Sequence, residues 1–176
     1  MLLITAGCVT ACASAAEEVT PEARSDTVVR ALRDAVVTPN EYRSAVRQFV
    51  SCLHRAGYTA EARGVSPVDG LSRPVDITPS GDPDVYNAEV QKCNVASIAH
   101  LEPVYVENNI QVMAPPLREH VRKCLSRAGV RTTGSETNAP EFFASADGDK
   151  GPVVTCITKS AHRLYPSLPL PITIRG

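Results

Sequence analysis

Cysteines are the residues with the most chemical potential in this sequence, and four of the six recur in a duplicated pattern. The hexapeptide CLHRAG that begins at Cys52 returns as CLSRAG at Cys124. Further along each copy, Cys93 and Cys156 are both followed by Ser, Leu and Pro at offsets of four, eight and ten. The chain therefore contains two copies of one unit, and each copy carries two cysteines.

The repeat predicts how these four cysteines pair. Four cysteines allow three connectivities, but a duplicated unit should carry its bond within itself, which gives Cys52–Cys93 and Cys124–Cys156. The residues that would be bonded are 41 and 32 positions apart, and closing such loops stabilises a fold by roughly 3–4 kcal/mol each. Because disulfides persist outside the cytosol, the pattern also indicates an exported protein.

Two other uses of the cysteines are less compatible with their spacing. A redox centre would need a Cys-x-x-Cys pair, and the sequence contains none. A histidine lies near every repeat cysteine, but the offsets differ from one to the next, whereas a metal site duplicated with the repeat would keep them. We therefore predict no metal and no cofactor. The histidines concerned are His54, His100, His120 and His162.

The first residues, MLLITAGC, place small residues directly before Cys8 and after an apolar run. This resembles the lipobox of bacterial lipoproteins, in which the signal peptide is cut before a cysteine that then carries lipid. The resemblance implies that residues 1–7 are the remnant of a signal peptide and that Cys8 is the lipidation site. A usual leader has a basic start and a longer apolar region. None of the seven residues before Cys8 is charged, so we expect a misplaced start codon or a trimmed leader.

The composition and the Cys-Leu-x-Arg-Ala-Gly pattern extend this resemblance. Arg outnumbers Lys by 14 to 4, and Ala and Val are abundant. In these features the chain resembles the small secreted lipoproteins of high-GC Gram-positive (actinobacterial) bacteria. Those proteins share no activity that could be carried over. Many lipoproteins of this size serve transporters, envelope maintenance or surface recognition, so the resemblance implies a non-catalytic binding or accessory role at the cell envelope.

Helix signals place the elements that hold the cysteines. Thr38, Pro39 and Glu41 form a capping box that opens the first helix of repeat one, and Asp82-Pro83 opens its second helix, expected to end near Pro103. Glycines at the end of each hexapeptide are suited to stop the helices. Residues 58–81 are expected to form a loop and 104–114 a short hairpin. Repeat two should add helices from Pro115, around Pro140 and from Pro152 to Leu164.

These signals predict an all-α fold with long loops, a small helical bundle made of two tandem disulfide-linked two-helix repeats. Apolar residues make up 43% of the chain, enough for a core, although aromatic residues make up only 5%. The expected organisation is a signal remnant at 1–7, a flexible tether at 8–24, a leading helix at 25–37, repeat one at 38–105, repeat two at 114–168 and an extended tail at 169–176.

The first helix of repeat two carries an unusual density of positive charge. Lys123, Arg127 and Arg131 recur every four residues and should line one helix face, with Arg118 and Arg122 in a neighbouring row. One interpretation is a basic strip for an anionic wall polymer, lipid headgroups or an acidic envelope protein. The other is a solvated face whose basic residues favour the C-terminal end of the helix.

The sequence gives less support to other functions, such as nucleic-acid binding, membrane insertion or catalysis. The net charge of −1 gives no argument for nucleic acid, and no apolar stretch of about 18 residues predicts a membrane span. The expected membrane contact is the lipid on Cys8. Two alternatives remain: an envelope enzyme that uses His54 and His120 in a groove between the repeats, and an immunity-type protein that blocks a partner through an exposed apolar patch.

Overall fold

The structure is a computed structural model, and it describes residues 36–169 and 171–175. Within these residues the fold is mainly helical, as the sequence predicts, with one small antiparallel sheet. The elements, in chain order, are α1 (Pro39–Arg55), β1 (Thr59–Ala62), β2 (Val75–Thr78), α2 (Pro83–Ser97), α3 (Leu101–Glu107), α4 (Pro115–Arg127), α5 (Ala139–Ser145) and α6 (Lys150–Leu164).

Helix α1 begins with the predicted capping box. The Thr38 hydroxyl accepts from the Glu41 amide at 3.3 Å, and the Glu41 carboxylate accepts from the Thr38 amide at 2.8 Å. These bonds satisfy amides that have no partner within the helix. The apolar stripe that follows is buried against the rest of repeat one, and its members are Tyr42, Ala45, Val46, Phe49 and Leu53.

The two glycine stops have matching geometry. Gly57 has a φ of 90° and Gly129 a φ of 79°, a left-handed conformation that costs glycine little. In each copy the residue after the glycine donates its amide to the residue after the cysteine, at 3.0 Å: Tyr58 to Leu53, and Val130 to Leu125. The duplication in sequence is therefore a duplication in backbone structure.

Both predicted disulfides are formed. Cys52–Cys93 joins α1 to α2 and Cys124–Cys156 joins α4 to α6, each with a Cα–Cα distance of 5.6 Å. The pairing within each repeat is thus confirmed. Two such bonds indicate an oxidising, extracytoplasmic environment. Within the described residues, no helix combines the length and apolar character needed to cross a membrane.

The expected loop at 58–81 instead contains the β1–β2 hairpin, paired antiparallel with Ala60 opposite Ile77. Only four residues long, each strand lacks a clear alternating signal in the sequence. The hairpin forms because tertiary contacts support it: Ala60 is buried and, with Ile77, packs against the Leu53 and Cys93 cluster.

The expected hairpin at 104–114 is wrong. The segment from Leu101 to Glu107 is helix α3, and the residues after it have no strand. Its Val-Tyr-Val run has strand propensity, but a helix buries Leu101, Tyr105 and Val106 together in the repeat-one core. Helix α2 ends at Ser97 rather than near Pro103, which lies in the first turn of α3, where a missing amide costs little.

Repeat one contributes a residue to the core of repeat two. Val68, from the long loop of repeat one, is 2% exposed and packs in the cluster formed by α4, α5 and α6. The turn that carries it is tied to the linker by the Val112 amide, which donates to Asp69, and the Ala114 amide, which donates to Pro67, both at 2.8 Å. Gly70 permits this approach, because a Cβ there would lie 2.7 Å from the Val112 oxygen.

The ends of the chain are described only in part. The signal remnant, the tether, Cys8, Cys12 and most of the predicted leading helix lie outside the described residues. Residues 36–37 have no helical structure. At the other end, residues 171–175, which belong to the predicted tail, have no helix or strand. Ile172 and Ile174 contact the repeat-two core, while Arg175 reaches Glu102 of α3 at 2.8 Å, so the tail contacts both repeats.

Candidate functional site

Packing decides which face of α4 is available to a partner. Leu117, Val121 and Leu125 are fully buried against the remainder of repeat two. The other faces of the helix are consequently turned outward, with Lys123 and Arg127 exposed and Arg118 and Arg122 half-buried.

The C-terminal half of α4 and the segment after it enclose a shallow depression of about 500 Å³. We call it the basic depression, and it is lined by Arg122, Lys123, Ser126, Arg127 and Thr132. Three of the five residues of the predicted strip therefore meet around one concavity, together with two hydroxyls. Cationic side chains beside hydroxyl donors are the groups that bind phosphate or carboxylate oxygens in proteins.

The predicted row of three cations is wrong at its third member. Helix α4 ends at Arg127, and Gly129 then turns the chain with a positive φ. Arg131 is exposed, but it does not continue the helix face and does not line the basic depression. The four-residue spacing from Arg127 to Arg131 crosses Gly129, where the helix has already ended, so the three side chains do not share one helix face. Arg118 lies on α4 but also outside the depression.

Two carboxylates reduce the charge of the strip. Glu119 lies 3.0 Å from the Lys123 ammonium and 3.7 Å from the Arg122 guanidinium. The hydrogen bond from Lys123 lowers the pKa of Glu119. Arg122 also approaches the Glu136 carboxylate at 3.6 Å and donates to the Glu136 backbone oxygen at 3.1 Å. Five cations and two carboxylates leave the region with three net positive charges.

The Arg127 side chain differs from those of Arg122 and Lys123 because it has no hydrogen bond or ion pair within residues 36–169 and 171–175. It is also not needed to cap α4. The Ala128 amide donates to Cys124 and the Val130 amide to Leu125, so backbone groups already satisfy carbonyls of the last turn. The unpaired guanidinium of Arg127 is therefore the group in the depression most available to an anion.

Glu136 is a buried carboxylate that the sequence did not single out. Its side chain is 2% exposed and accepts hydrogen bonds from the Thr133 and Gly134 amides and the Thr133 and Ser145 hydroxyls. Burial disfavours its charge, but the hydrogen bonds outweigh this cost and lower its pKa to about 2. Glu136 thus holds the loop after α4 in place and positions Arg122 at the edge of the depression.

The positive charge of α4 is not part of the duplicated framework. When the repeats are aligned on Cys52 and Cys124, only Arg127 has a basic counterpart, Arg55. The residues of repeat one at the positions of Arg118, Arg122, Lys123 and Arg127 are Val46, Val50, Ser51 and Arg55. The basic depression is accordingly a property of repeat two.

A second cavity, of about 270 Å³, lies between repeat one and the tail, and we call it the tail cavity. Beside it the Tyr42 hydroxyl donates to Glu102 at 2.6 Å and accepts from the Arg73 amide at 2.9 Å, while Arg175 donates to Glu102 at 2.8 Å. Burial, and then the Glu102 charge, raise the pKa of Tyr42. These contacts join residues distant in sequence, so periodicity could not have revealed them.

The histidines proposed for a catalytic groove are not part of either cavity. His54 places Nε2 2.8 Å from the Ala60 carbonyl oxygen in β1, which fixes it to the hairpin. His54 and His120 line neither the basic depression nor the tail cavity. Among the residues described, no group of three or more His, Cys, Asp or Glu side chains is arranged to hold a metal ion.

Comparison of the chain with protein-family models, with curated proteins and with solved structures finds no match.

Proposed function

We propose that this protein is exported, anchored to the membrane by lipid on Cys8, and has a non-catalytic binding role at the cell envelope. The proposed ligand is an anionic wall polymer that binds at the basic depression. The observation that carries the proposal is the unpaired Arg127 guanidinium, set beside Lys123 and Arg122 in an open concavity with two hydroxyls.

A polymer suits this site better than a compact anion. The depression is wide and shallow, and Arg118 and Arg131 lie outside it on the same part of repeat two. A chain of repeated phosphate or carboxylate groups can contact the depression and an outlying arginine together, which strengthens binding without a deep pocket. The interaction is expected to weaken as salt increases, because Arg127, Lys123 and Arg131 are exposed to solvent.

The matched pair Arg127→Gln and Arg55→Gln tests this proposal. Both arginines occupy the same position in their repeats, and the Arg55 side chain donates to the Ser51 hydroxyl at 2.8 Å. Binding of the full disulfide-bonded chain to poly(glycerol phosphate) is measured by calorimetry at low salt. We expect Arg127→Gln to weaken binding about tenfold, as expected for one charge-assisted hydrogen bond, and Arg55→Gln to leave it unchanged.

Equal losses in the two variants, or no binding by the unmodified chain, would contradict the proposed site. Vesicles of phosphatidylglycerol provide a separate arm, since lipid headgroups offer the same phosphate chemistry. A preference for vesicles over the polymer would overturn the assignment to a wall polymer.

The anchor is tested separately with a second matched pair. Cells that express the full chain are fed an alkyne-bearing fatty acid, and incorporated label is measured for Cys8→Ala and Cys12→Ala. We expect label to be lost in the first variant and retained in the second. Label that survives Cys8→Ala would contradict lipidation at Cys8.

A further inference from the structure

The tail cavity has an apolar lining contributed by two parts of the chain. Phe49, Val75 and Ile98 belong to repeat one, and Leu168 and Ile172 belong to the segment after α6. Its volume of about 270 Å³ is just below the usual range for ligand pockets, about 300–1,000 Å³. The cavity therefore has room for a small, mainly apolar molecule.

Most polar groups that line this cavity are already paired within the protein. The Ser72 hydroxyl donates to Asp69 at 2.6 Å, and the Ser66 hydroxyl accepts from the Val68 amide at 3.2 Å. Glu102 accepts from Tyr42 through one oxygen and from Arg175 through the other. The Ser72 and Glu102 side chains are therefore engaged within the protein and are not left to select a charged ligand.

Arg73 is the exception among the charged side chains of the cavity. Its backbone amide donates to Tyr42, but its guanidinium has no hydrogen bond or ion pair with any part of the chain that the structure describes. The nearby negative charge of Glu102 is offset by Arg175. An apolar cavity with one unmatched guanidinium at its wall is complementary to an apolar chain that ends in a carboxylate.

We propose that the tail cavity binds a small monocarboxylate with a short aliphatic chain, which places its carboxylate against Arg73 and its chain among Phe49, Ile98 and Ile172. This site is separate from the basic depression in both position and ligand chemistry. It depends on the tail as well as on repeat one, because Leu168 and Ile172 form part of its wall.

Octanoate is the test ligand, and its binding to the full disulfide-bonded chain is measured by calorimetry and by NMR shifts of the Ile98 and Ile172 methyl groups. We expect saturable binding that Arg73→Gln weakens about tenfold and that Arg55→Gln leaves unchanged. Octan-1-ol, with the same chain and no charge, is expected to bind at least tenfold more weakly than octanoate.

A second variant tests the location without disturbing the core. Thr173 is exposed and lines the cavity, so Thr173→Trp should fill the space and abolish octanoate binding while the thermal unfolding curve stays the same. Absence of binding at millimolar octanoate, equal affinity for octan-1-ol, or full affinity in Arg73→Gln or in Thr173→Trp would overturn the proposal.

Discussion

The two repeats share a frame, by which we mean two helices joined by a disulfide, the first of them ended by a glycine. They differ in the elements that pack against this frame. In both, a disulfide with a Cα–Cα distance of 5.6 Å joins two helices, and a glycine of positive φ ends the first of them. In repeat one, a β-hairpin and two small apolar clusters pack against the frame. In repeat two, a short helix and one larger apolar cluster pack against the frame.

This difference separates stability from binding chemistry. The cysteines, the glycine stops and the leucines beside the cysteines are common to both copies, and all of them act on the backbone or the core. The cations of the basic depression and the polar groups of the tail cavity have mostly no equivalent in the other copy. A duplicated frame thus leaves each copy free to present different surface residues.

The largest effect should come from removing either disulfide. We expect Cys52→Ala/Cys93→Ala and Cys124→Ala/Cys156→Ala each to lower the free energy of unfolding by about 3–4 kcal/mol, measured by urea titration. The two losses should be nearly equal, because closure entropy depends only on the logarithm of loop length. A negligible loss in one repeat would mean that the copies are not held in the same way.

The next largest effect concerns the residue that the repeats share. Val68 belongs to repeat one in the sequence, but Val68→Ala removes packing from the core of repeat two. We expect this change to lower the free energy of unfolding by about 2 kcal/mol. Hydrogen exchange should accelerate in α4 and α6 more than in α1. Val65→Ala, in the same loop but 46% exposed, is the control and should change little. Acceleration confined to α1 would contradict this packing.

A third effect, of similar size, distinguishes the repeats by pH. The pKa of Glu136 is about 2 in the fold and about 4.3 in an unfolded chain. Its contribution is therefore fully present above about pH 5 and is lost as the pH falls toward 2. We expect the free energy of unfolding to fall by about 2–3 kcal/mol over this interval, and we expect Glu136→Gln to lack this dependence. Identical pH profiles of unfolding for the two proteins would contradict the hydrogen-bonded carboxylate.

The smallest expected effect tests the equivalence of the glycine stops. A Cβ at Gly57 or Gly129 meets nothing within 4 Å, so each Gly→Ala change costs only the left-handed backbone strain, about 1 kcal/mol. Gly64→Ala, equally free of contacts but without a positive φ, should be nearly neutral. Thermal unfolding that separates Gly57→Ala from Gly129→Ala by several degrees would show that the two stops differ.

Local signals were enough to predict the frame. The capping box at Thr38, the glycine stops and the pairing of cysteines each depend on a few neighbouring residues or on the repeat itself. The hairpin and helix α3 were missed because their short segments are decided by packing against α1 rather than by propensity.

The sites were predictable only in part, for the same reason. The sequence located the positive charge of α4, since that charge lies within one helix. It could not locate the concavity, the neutralising role of Glu136 or the tail cavity, because these bring together residues far apart in the chain. Tyr42, Glu102 and Arg175 illustrate this: their contacts span 60 and 73 positions.

The duplicated frame requires two separate disulfides, each formed within its own repeat in an oxidising compartment. The most direct test is peptide mapping by mass spectrometry, without reduction, of the full chain recovered from the envelope of cells that export it. We expect linked peptides for Cys52–Cys93 and Cys124–Cys156. Free thiols at these positions, or a link that crosses from one repeat to the other, would contradict the duplicated frame.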